Sequence, residues 1–355
     1  EITNTLTNEN IYVKNIAEII DGEQFSIFKN DSELFGKSVI ELEKNWRETS
    51  HAIHSIRDNE EIAKSELSLL DDRNFQGLKS NISFDENELK HININRTKPK
   101  VAILREQGVN GQNEMAAAFT LAGFNAFDVH MQDLLDGNTN LKDFQGMAVC
   151  GGFSYGDVLG AGGGWSKTIL YNNLVKDQFQ EFFSDEKVFT LGVCNGCQML
   201  SNLKDIIPGA EFWPSFERNL SDQFEARLAQ VKISKTESVL LDGMEDWMIP
   251  VASAHGEGRA QFNNNDLQEL EKSNQIAMHF VDSSENSSEI YPINPNGSPN
   301  GITGITASNG RVTIMMPHPE RVFRKVQLSW HRKDWNEYSP WMQIFINAKK
   351  FSDKN

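Results

Sequence analysis

The sequence predicts an α/β fold: a mostly parallel sheet with helices on both faces, preceded by a partly helical connector. Three observations carry this expectation. From Lys98 onward, short apolar runs at 100–104, 124–130, 146–150 and 187–193 alternate with helical patterns, and strands alternating with helices imply buried parallel strands. Most of these runs end in glycine-bearing loops, and ligands bind beyond the carboxyl ends of such strands. Residues 1–97 differ in character, being rich in Asn, Glu, Ser and Lys and poor in glycine.

The elements follow in order. Val39, Leu42, Trp46, Thr49, Ile53 and Ile56 recur at intervals of three and four, which places them on one face of a helix. A second helix is expected over 60–70 and an irregular polar connector over 71–99. Residues 1–97 are read as a docking segment and connector without chemistry of their own, and 98–355 as the chemical domain. In that domain the first strand, 100–104, runs into Arg105-Glu106-Gln107-Gly108. A helix over 113–122 follows, with Asn113 as N-cap and Gly123 as its stop. After the fourth strand, a helix is expected over about 196–202. Later strands at 224–233, 248–254, 275–281, 302–307 and 311–316 lack long helices between them, a turn-rich stretch fills 294–301, and a closing helix covers 340–351.

Composition limits the function. With 39% hydrophobic and 24% charged residues among 355, the chain reads as an ordinary globular protein, and it has no apolar run of membrane-spanning length. A formal charge of −16 argues against a general nucleic-acid surface, which needs clustered Lys and Arg. The three cysteines, Cys150, Cys194 and Cys197, are too few for a disulfide framework, pointing to a reducing cytoplasm. The opening Glu1-Ile2-Thr3-Asn4 has neither an initiator Met nor a signal pattern, so the chain is read as a fragment of a longer one.

The chemical signal centres on Gly192-Val193-Cys194-Asn195-Gly196. A G-x-C-x-G turn from strand to helix is the cysteine form of a nucleophile elbow. It leaves the sulfur at a helix start, where the dipole favours thiolate, and points the Asn195 N–H at an oxyanion. Two other readings stay open: a buried structural cysteine, and Cys194-Asn195-Gly196-Cys197 as a redox pair or half a zinc site. No second C-x-x-C completes the latter, and no metal is expected. A thiolate nucleophile needs a proton shuttle. His318, held between Pro317 and Pro319, is rigidly aimed, and Glu320 would fix its tautomer; a surface turn with an incidental histidine is the competing reading. Gly151-Gly152-Phe153 lets backbone N–H groups approach a ligand, with Gly152 a second oxyanion donor. A phosphate cradle is the alternative there, but 160–165 lacks the ending of a P-loop.

These motifs together resemble the class I (triad) glutamine amidotransferases. In particular, REQGVN at 105–110, GGFSYGD at 151–157, GVCNGCQM at 192–199, FEAR at 224–227, HGEGR at 255–259, NPNGSPNGIT at 294–303 and MMPHPERVFR at 315–324 resemble the C-terminal glutaminase domains of large, single-chain phosphoribosylformylglycinamidine synthases. The resemblance covers 98–355; residues 1–97 look like the tail of the preceding synthetase region. It implies a Cys194–His318–Glu320 triad, an oxyanion hole of Gly152 and Asn195, and a glutamine pocket at Gly151, Phe153, Gln198, Phe224, Glu225 and His255. It also implies that the ammonia serves conversion of formylglycinamide ribonucleotide to its amidine in purine synthesis. ATP and magnesium would act in the synthetase region of the same full-length chain, with no cofactor in this part. Gly163 stands where close bacterial relatives lead one to expect Glu, and Ala254 where they suggest Ser.

Overall fold

The computed structural model describes residues 2–73, 75–92, 98–263 and 265–355; position 74 and positions 93–97 of the expected connector lie outside them. It forms two compact units, 1–53 and 54–355. In the first, helix α1 (Ile2–Asn8) precedes an antiparallel hairpin of β1 (Gln24–Lys29) and β2 (Ser32–Ser38). The hairpin turns at Asn30 and Asp31, both at positive φ, as a tight two-residue turn requires. Helix α2 (Val39–Arg57) forms where the three-and-four spacing predicts it. Its apolar stripe is not buried, however: Val39, Trp46, Ile53 and Ile56 are exposed.

The second unit takes in the end of α2 and continues with α3 (Glu60–Ser68), capped by Asn59, whose Oδ1 accepts from the N–H groups of Glu61 and Ile62. This unit begins at His54, whereas the sequence reading drew its boundary at 97/98. The connector is strapped to the rest by specific bonds. Ser65 Oγ donates to the Tyr291 carbonyl at 2.9 Å, and Asn81 clamps the chain at Asp246 and Met248. The buried Trp335 indole donates to the Ile82 carbonyl at 2.8 Å. A short helix, α4 (Asn87–Ile92), not anticipated from sequence, packs on the last helix, α11 (Met342–Lys354).

The core is a nine-stranded mixed sheet. Its parallel half comprises β3 (Lys100–Arg105), β4 (Asn125–His130), β5 (Gly146–Val149), β6 (Phe189–Val193) and β13 (Val312–Met315). The antiparallel half comprises β8 (Glu225–Ile233), β9 (Met248–His255), β11 (Ile276–Phe280) and β12 (Ile302–Thr306), and the order is β4-β3-β5-β6-β13-β12-β11-β8-β9. Strands β5, β6 and β13 are buried along their whole length, which is why they read as continuous apolar runs rather than alternating ones. Two short strands, β7 (Ser215–Glu217) and β10 (Arg259–Gln261), pair separately.

Helix α5 (Gln112–Leu121) starts one residue before the predicted cap. Gly111, in the left-handed region at φ 85°, occupies the N-cap instead of Asn113. Helices α6 (Met131–Leu135), α7 (Gly163–Leu170), α8 (Asn173–Ser184) and α10 (Asp266–Lys272) complete the layers, with α9 (Asn195–Ser201) on β6 and β13. Phe119 meets Phe124 and Phe345 edge-to-face at 5.3 and 5.0 Å, tying α5 and α11 together beside the sheet.

Candidate active site

Cys194 sits at the carboxyl end of β6 and opens α9 with φ 51° and ψ −110°. A non-glycine residue there carries strain of about 1–3 kcal/mol, held by its surroundings. The surroundings are close indeed. A Cβ at Gly196 would lie 2.1 Å from the Val149 carbonyl oxygen, and one at Gly192 would lie 2.4 Å from Leu200 Cδ1. The flanking glycines are therefore what permits strand, turn and helix to pack around the sulfur.

His318 follows β13, the strand beside β6, and its backbone N–H donates to the Ala252 carbonyl at 2.8 Å. Its Nδ1 lies 2.6 Å from Glu320 Oε1, and both side chains are inaccessible to solvent. That bond places a ring proton on Nδ1. Nε2 has no hydrogen-bond partner in the protein and is the atom left for the cysteine. Gly151 is pressed between the two: a Cβ there would meet His318 Cε1 at 2.7 Å and Cys194 Cβ at 3.2 Å. Its place is against the Cys–His pair.

The electrostatics suit a thiolate–imidazolium pair. Burial alone pushes the Cys194 thiol up, but the charge of His318 and the imidazoles of His255 and His318 close to the sulfur outweigh it and bring it down to about 5. Burial likewise opposes protonation of His318, yet the charges of Glu320 and Cys194 raise it to about 9. By contrast, burial pushes Cys150 and Cys197 well above an ordinary thiol. Cys197 is buried within α9.

A cavity of about 140 Å³ opens beside the sulfur, lined among others by Gly152, Phe153, Gln198, Phe224 and His255. Phe153 and Phe224 lean together at 6.0 Å. Gln198 Nε2 donates to the Glu257 carbonyl at 2.6 Å, so it braces the loop after β9. Asn195 is fully buried; its Oδ1 accepts from the Ser154 N–H, and its Nδ2 donates to Asp157 and Gln198. Its own backbone N–H belongs to the first turn of α9, where such groups lack intrahelical acceptors. Glu225, expected in the pocket, has its carboxylate engaged within the protein. Its carboxylate pairs with Arg227 at 2.6 Å and takes a bond from the Tyr291 hydroxyl, so it does not line the cavity. Neighbouring residues of an extended chain point to opposite sides, and Phe224 has the cavity side.

His255 lies closer to the chemistry than a wall residue. Its Nε2 is 3.1 Å from Asn296 Oδ1 and from Ser253 Oγ. The Asn296 amide nitrogen is committed to Asn219, so the turn-rich 294–301 stretch serves to hold this ring. Donor atoms of Cys194, His255 and His318 all lie within 4.8 Å of one another, a set with the chemistry to hold a soft cation such as zinc. Sequence reasoning assigned no role to Asp157, Ala161, Gly256 or Glu257, which also line the cavity; the acidic pair inside two otherwise glycine-rich motifs was the available signal.

The CobB/CobQ-like glutamine amidotransferase domain matches residues 98–352. This chain belongs to that family. Its fold is shared with PurLQS from Thermotoga maritima, which superposes with a TM-score of 0.54 at 20% identity, covering 72% of this amidotransferase chain and 99% of that one. A putative GMP synthase component from Thermoplasma acidophilum gives a TM-score of 0.44 at 13% identity, over 73% of this chain and 96% of that one. A glutamine amidotransferase from Thermotoga maritima gives 0.38 at 16%, over 63% and 77%. No helix among the described residues of the amidotransferase is long and apolar enough to cross a membrane.

Proposed function

We propose that this amidotransferase hydrolyses glutamine to glutamate and ammonia through Cys194, His318 and Glu320, and that the ammonia is used for ATP-dependent conversion of formylglycinamide ribonucleotide to formylglycinamidine ribonucleotide. One observation carries the hydrolytic part. A cysteine brought down to thiolate, a histidine with a free Nε2 and a buried carboxylate on its Nδ1 converge beside a cavity. The purine assignment rests on the motifs resembling phosphoribosylformylglycinamidine synthases and on the fold likeness to PurLQS.

The Cys194 thiolate attacks the side-chain amide carbon. The resulting oxyanion accepts from the Asn195 N–H and that of Gly152. As the C–N bond breaks, His318 gives its Nε2 proton to the departing ammonia, leaving a glutamyl thioester. The now neutral Nε2 takes a proton from water, which attacks the thioester carbon; the C–S bond breaks and glutamate leaves. Glu320 holds the ring throughout. ATP and magnesium belong to the synthetase region, which acts as partner and receives the ammonia, and no step here passes through them.

Incubation with a diazo-ketone analogue of glutamine, followed by peptide mapping, tests the reading. A single adduct on Cys194 that excess glutamine prevents is expected. An adduct on Cys150 or Cys197, or none even with the synthetase region present, overturns it. Production of the amidine by the reconstituted enzyme with glutamine, and its loss in Cys194→Ser while free ammonia still supports it, tests the purine assignment.

A further inference from the structure

We propose that Cys194, His255 and His318 form a binding site for zinc, a thiophilic divalent cation that locks the sulfur reversibly in an unreactive state. The site stands on geometry alone; its consequence for hydrolysis rests on the glutaminase reading above. One donor atom from each of the three lies within 4.8 Å of the others, and all three residues are buried. Tetrahedral zinc, with bonds of about 2.0 Å to nitrogen and about 2.3 Å to sulfur, spaces its donors roughly 3.4–3.6 Å apart. No pair therefore has to close by more than about 1.4 Å.

Both imidazoles are supported as metal ligands are. A ligating histidine turns one ring nitrogen to the metal and donates the other N–H to a carboxylate or carbonyl oxygen, which fixes the tautomer. His318 donates from Nδ1 to Glu320 Oε1 at 2.6 Å, which leaves Nε2 buried and without a hydrogen-bond partner in the protein. For His255 the tautomer follows from a chain of amides. Asn219 Nδ2 donates to the Gln223 and His255 carbonyls, so its Oδ1 is turned to accept from Asn296 Nδ2 at 2.8 Å. Asn296 Oδ1 is thereby aimed at His255 Nε2, 3.1 Å away, and as an acceptor it requires the proton on that nitrogen. His255 Nδ1 is left with a lone pair, buried and without a partner in the protein.

The C-x-x-C spacing is not what makes this site. Cys197 is absent from the set, and the partners of Cys194 come instead from the end of β9 and the turn after β13. One thiolate and two imidazoles suit a borderline-soft ion, and three protein ligands are the complement of zinc sites that keep a fourth position open. Cys194 and His255 line the cavity beside the elbow, so that position opens to it and water completes the tetrahedron. Binding releases to solvent the proton shared by the sulfur and His318 Nε2, and the metal-bound sulfur is no longer free to attack a carbon.

The test uses the whole chain, stripped of metal with chelator, and two probes. Zinc chloride is titrated by equilibrium dialysis, and cobalt chloride reports the ligands by its absorption. We expect one zinc per chain and, with cobalt, a sulfur-to-metal charge-transfer band beside the visible bands of a tetrahedral ion. Cys194→Ser should abolish the charge-transfer band. His255→Asn should weaken zinc binding roughly tenfold or more, the loss that even a ligand's supporting partner causes, while iodoacetamide still alkylates Cys194, which shows the elbow folded. Zinc bound equally by wild type and Cys194→Ser overturns the site, since the ion then lies elsewhere. A wild-type cobalt complex without the charge-transfer band also overturns it, as does a His255→Asn variant that binds zinc as tightly as wild type. None of these readouts involves glutamine, so failure of the glutaminase reading leaves the site standing, and failure of the site leaves the glutaminase reading standing.

Discussion

Replacing Glu320 by Gln tests the electrostatic core of the site. The carboxylate lies 2.6 Å from His318 Nδ1 with neither side chain exposed, and its charge is the foremost influence raising His318 against the cost of burial. Removing one partner of a buried pair costs about 3–5 kcal/mol, and at about 1.36 kcal/mol per pKa unit that is two units or more. His318 should therefore lose its proton at lower pH, and Cys194, deprived of the imidazolium, should rise from about 5 to roughly 7. The sign follows directly: below its inflection the sulfur is a thiol and unreactive. At pH 6 the thiolate fraction should fall from roughly nine-tenths to one-tenth, and iodoacetamide should modify Cys194 about ninefold more slowly. By pH 9 the two proteins should converge, which also shows the site intact. The pH profile of alkylation, mapped to Cys194, is the assay; Cys150 and Cys197, buried and pushed well above the ordinary range, stay silent. An inflection that does not move in Glu320→Gln would refute the ion-pair argument.

Backbone strain at the elbow predicts that Cys194→Gly abolishes glutamine hydrolysis yet stabilises the fold by about 1 kcal/mol, since relief of a 1–3 kcal/mol strain exceeds the entropy cost of glycine; urea unfolding measures it. Gly196→Ala should destabilise by about 3 kcal/mol, at the upper end for overpacking, because the new methyl meets the Val149 carbonyl at 2.1 Å; unchanged stability would contradict the tight elbow. Zinc should slow alkylation of Cys194 through the sulfur and the two imidazoles within 4.8 Å, with chelator restoring it, and His255→Ala should weaken the zinc effect by roughly tenfold or more, since even an outer-shell partner of a ligand is worth that much. An unaltered zinc titration in that variant would remove His255 from the set.

Much of the site was legible because its residues are constrained locally. The elbow needs small residues on either side of Cys194, and the prolines about His318 fix its backbone, so both stand out in one dimension. Phe224 and Glu225 are separated for a local reason too: Phe224 lines the cavity while Glu225 pairs with Arg227, since one step along an extended chain reverses direction. His255 was less legible because its role depends on partners far away in sequence. His255 is held by Asn296, forty-one positions on, and no periodicity reports such a contact. In the fold, the parallel strands showed as apolar runs, whereas α8 went unnoticed although Asn172 caps it through the Val175 N–H. The stripe of α2 shows the limit of pattern reading: periodicity predicts the helix, but says nothing of whether the apolar face is covered.

The order of the strands explains why one cavity gathers residues from both halves of the sheet. Strands β5, β6 and β13 bring Gly151, Cys194 and His318 to one edge in the ordinary manner of parallel sheets. Strand β9, however, is five places from β6 in the sheet, and at about 4.8 Å per strand a flat sheet would hold His255 about 24 Å from the sulfur. A separation within 4.8 Å therefore requires the antiparallel half to curl back. The closure is visible where Ala252 bridges His318, joining the edge strand to the segment that follows β13. The antiparallel half is thus the roof of the site: it delivers His255 and Glu257 over a Cys194 sulfur that the parallel half alone would leave open. The connector meets the same edge strand at its start, where Asn81 accepts from the Met248 N–H. Bonds to an edge strand oppose its pairing with other chains, and here they also tether the strand whose far end closes the cavity.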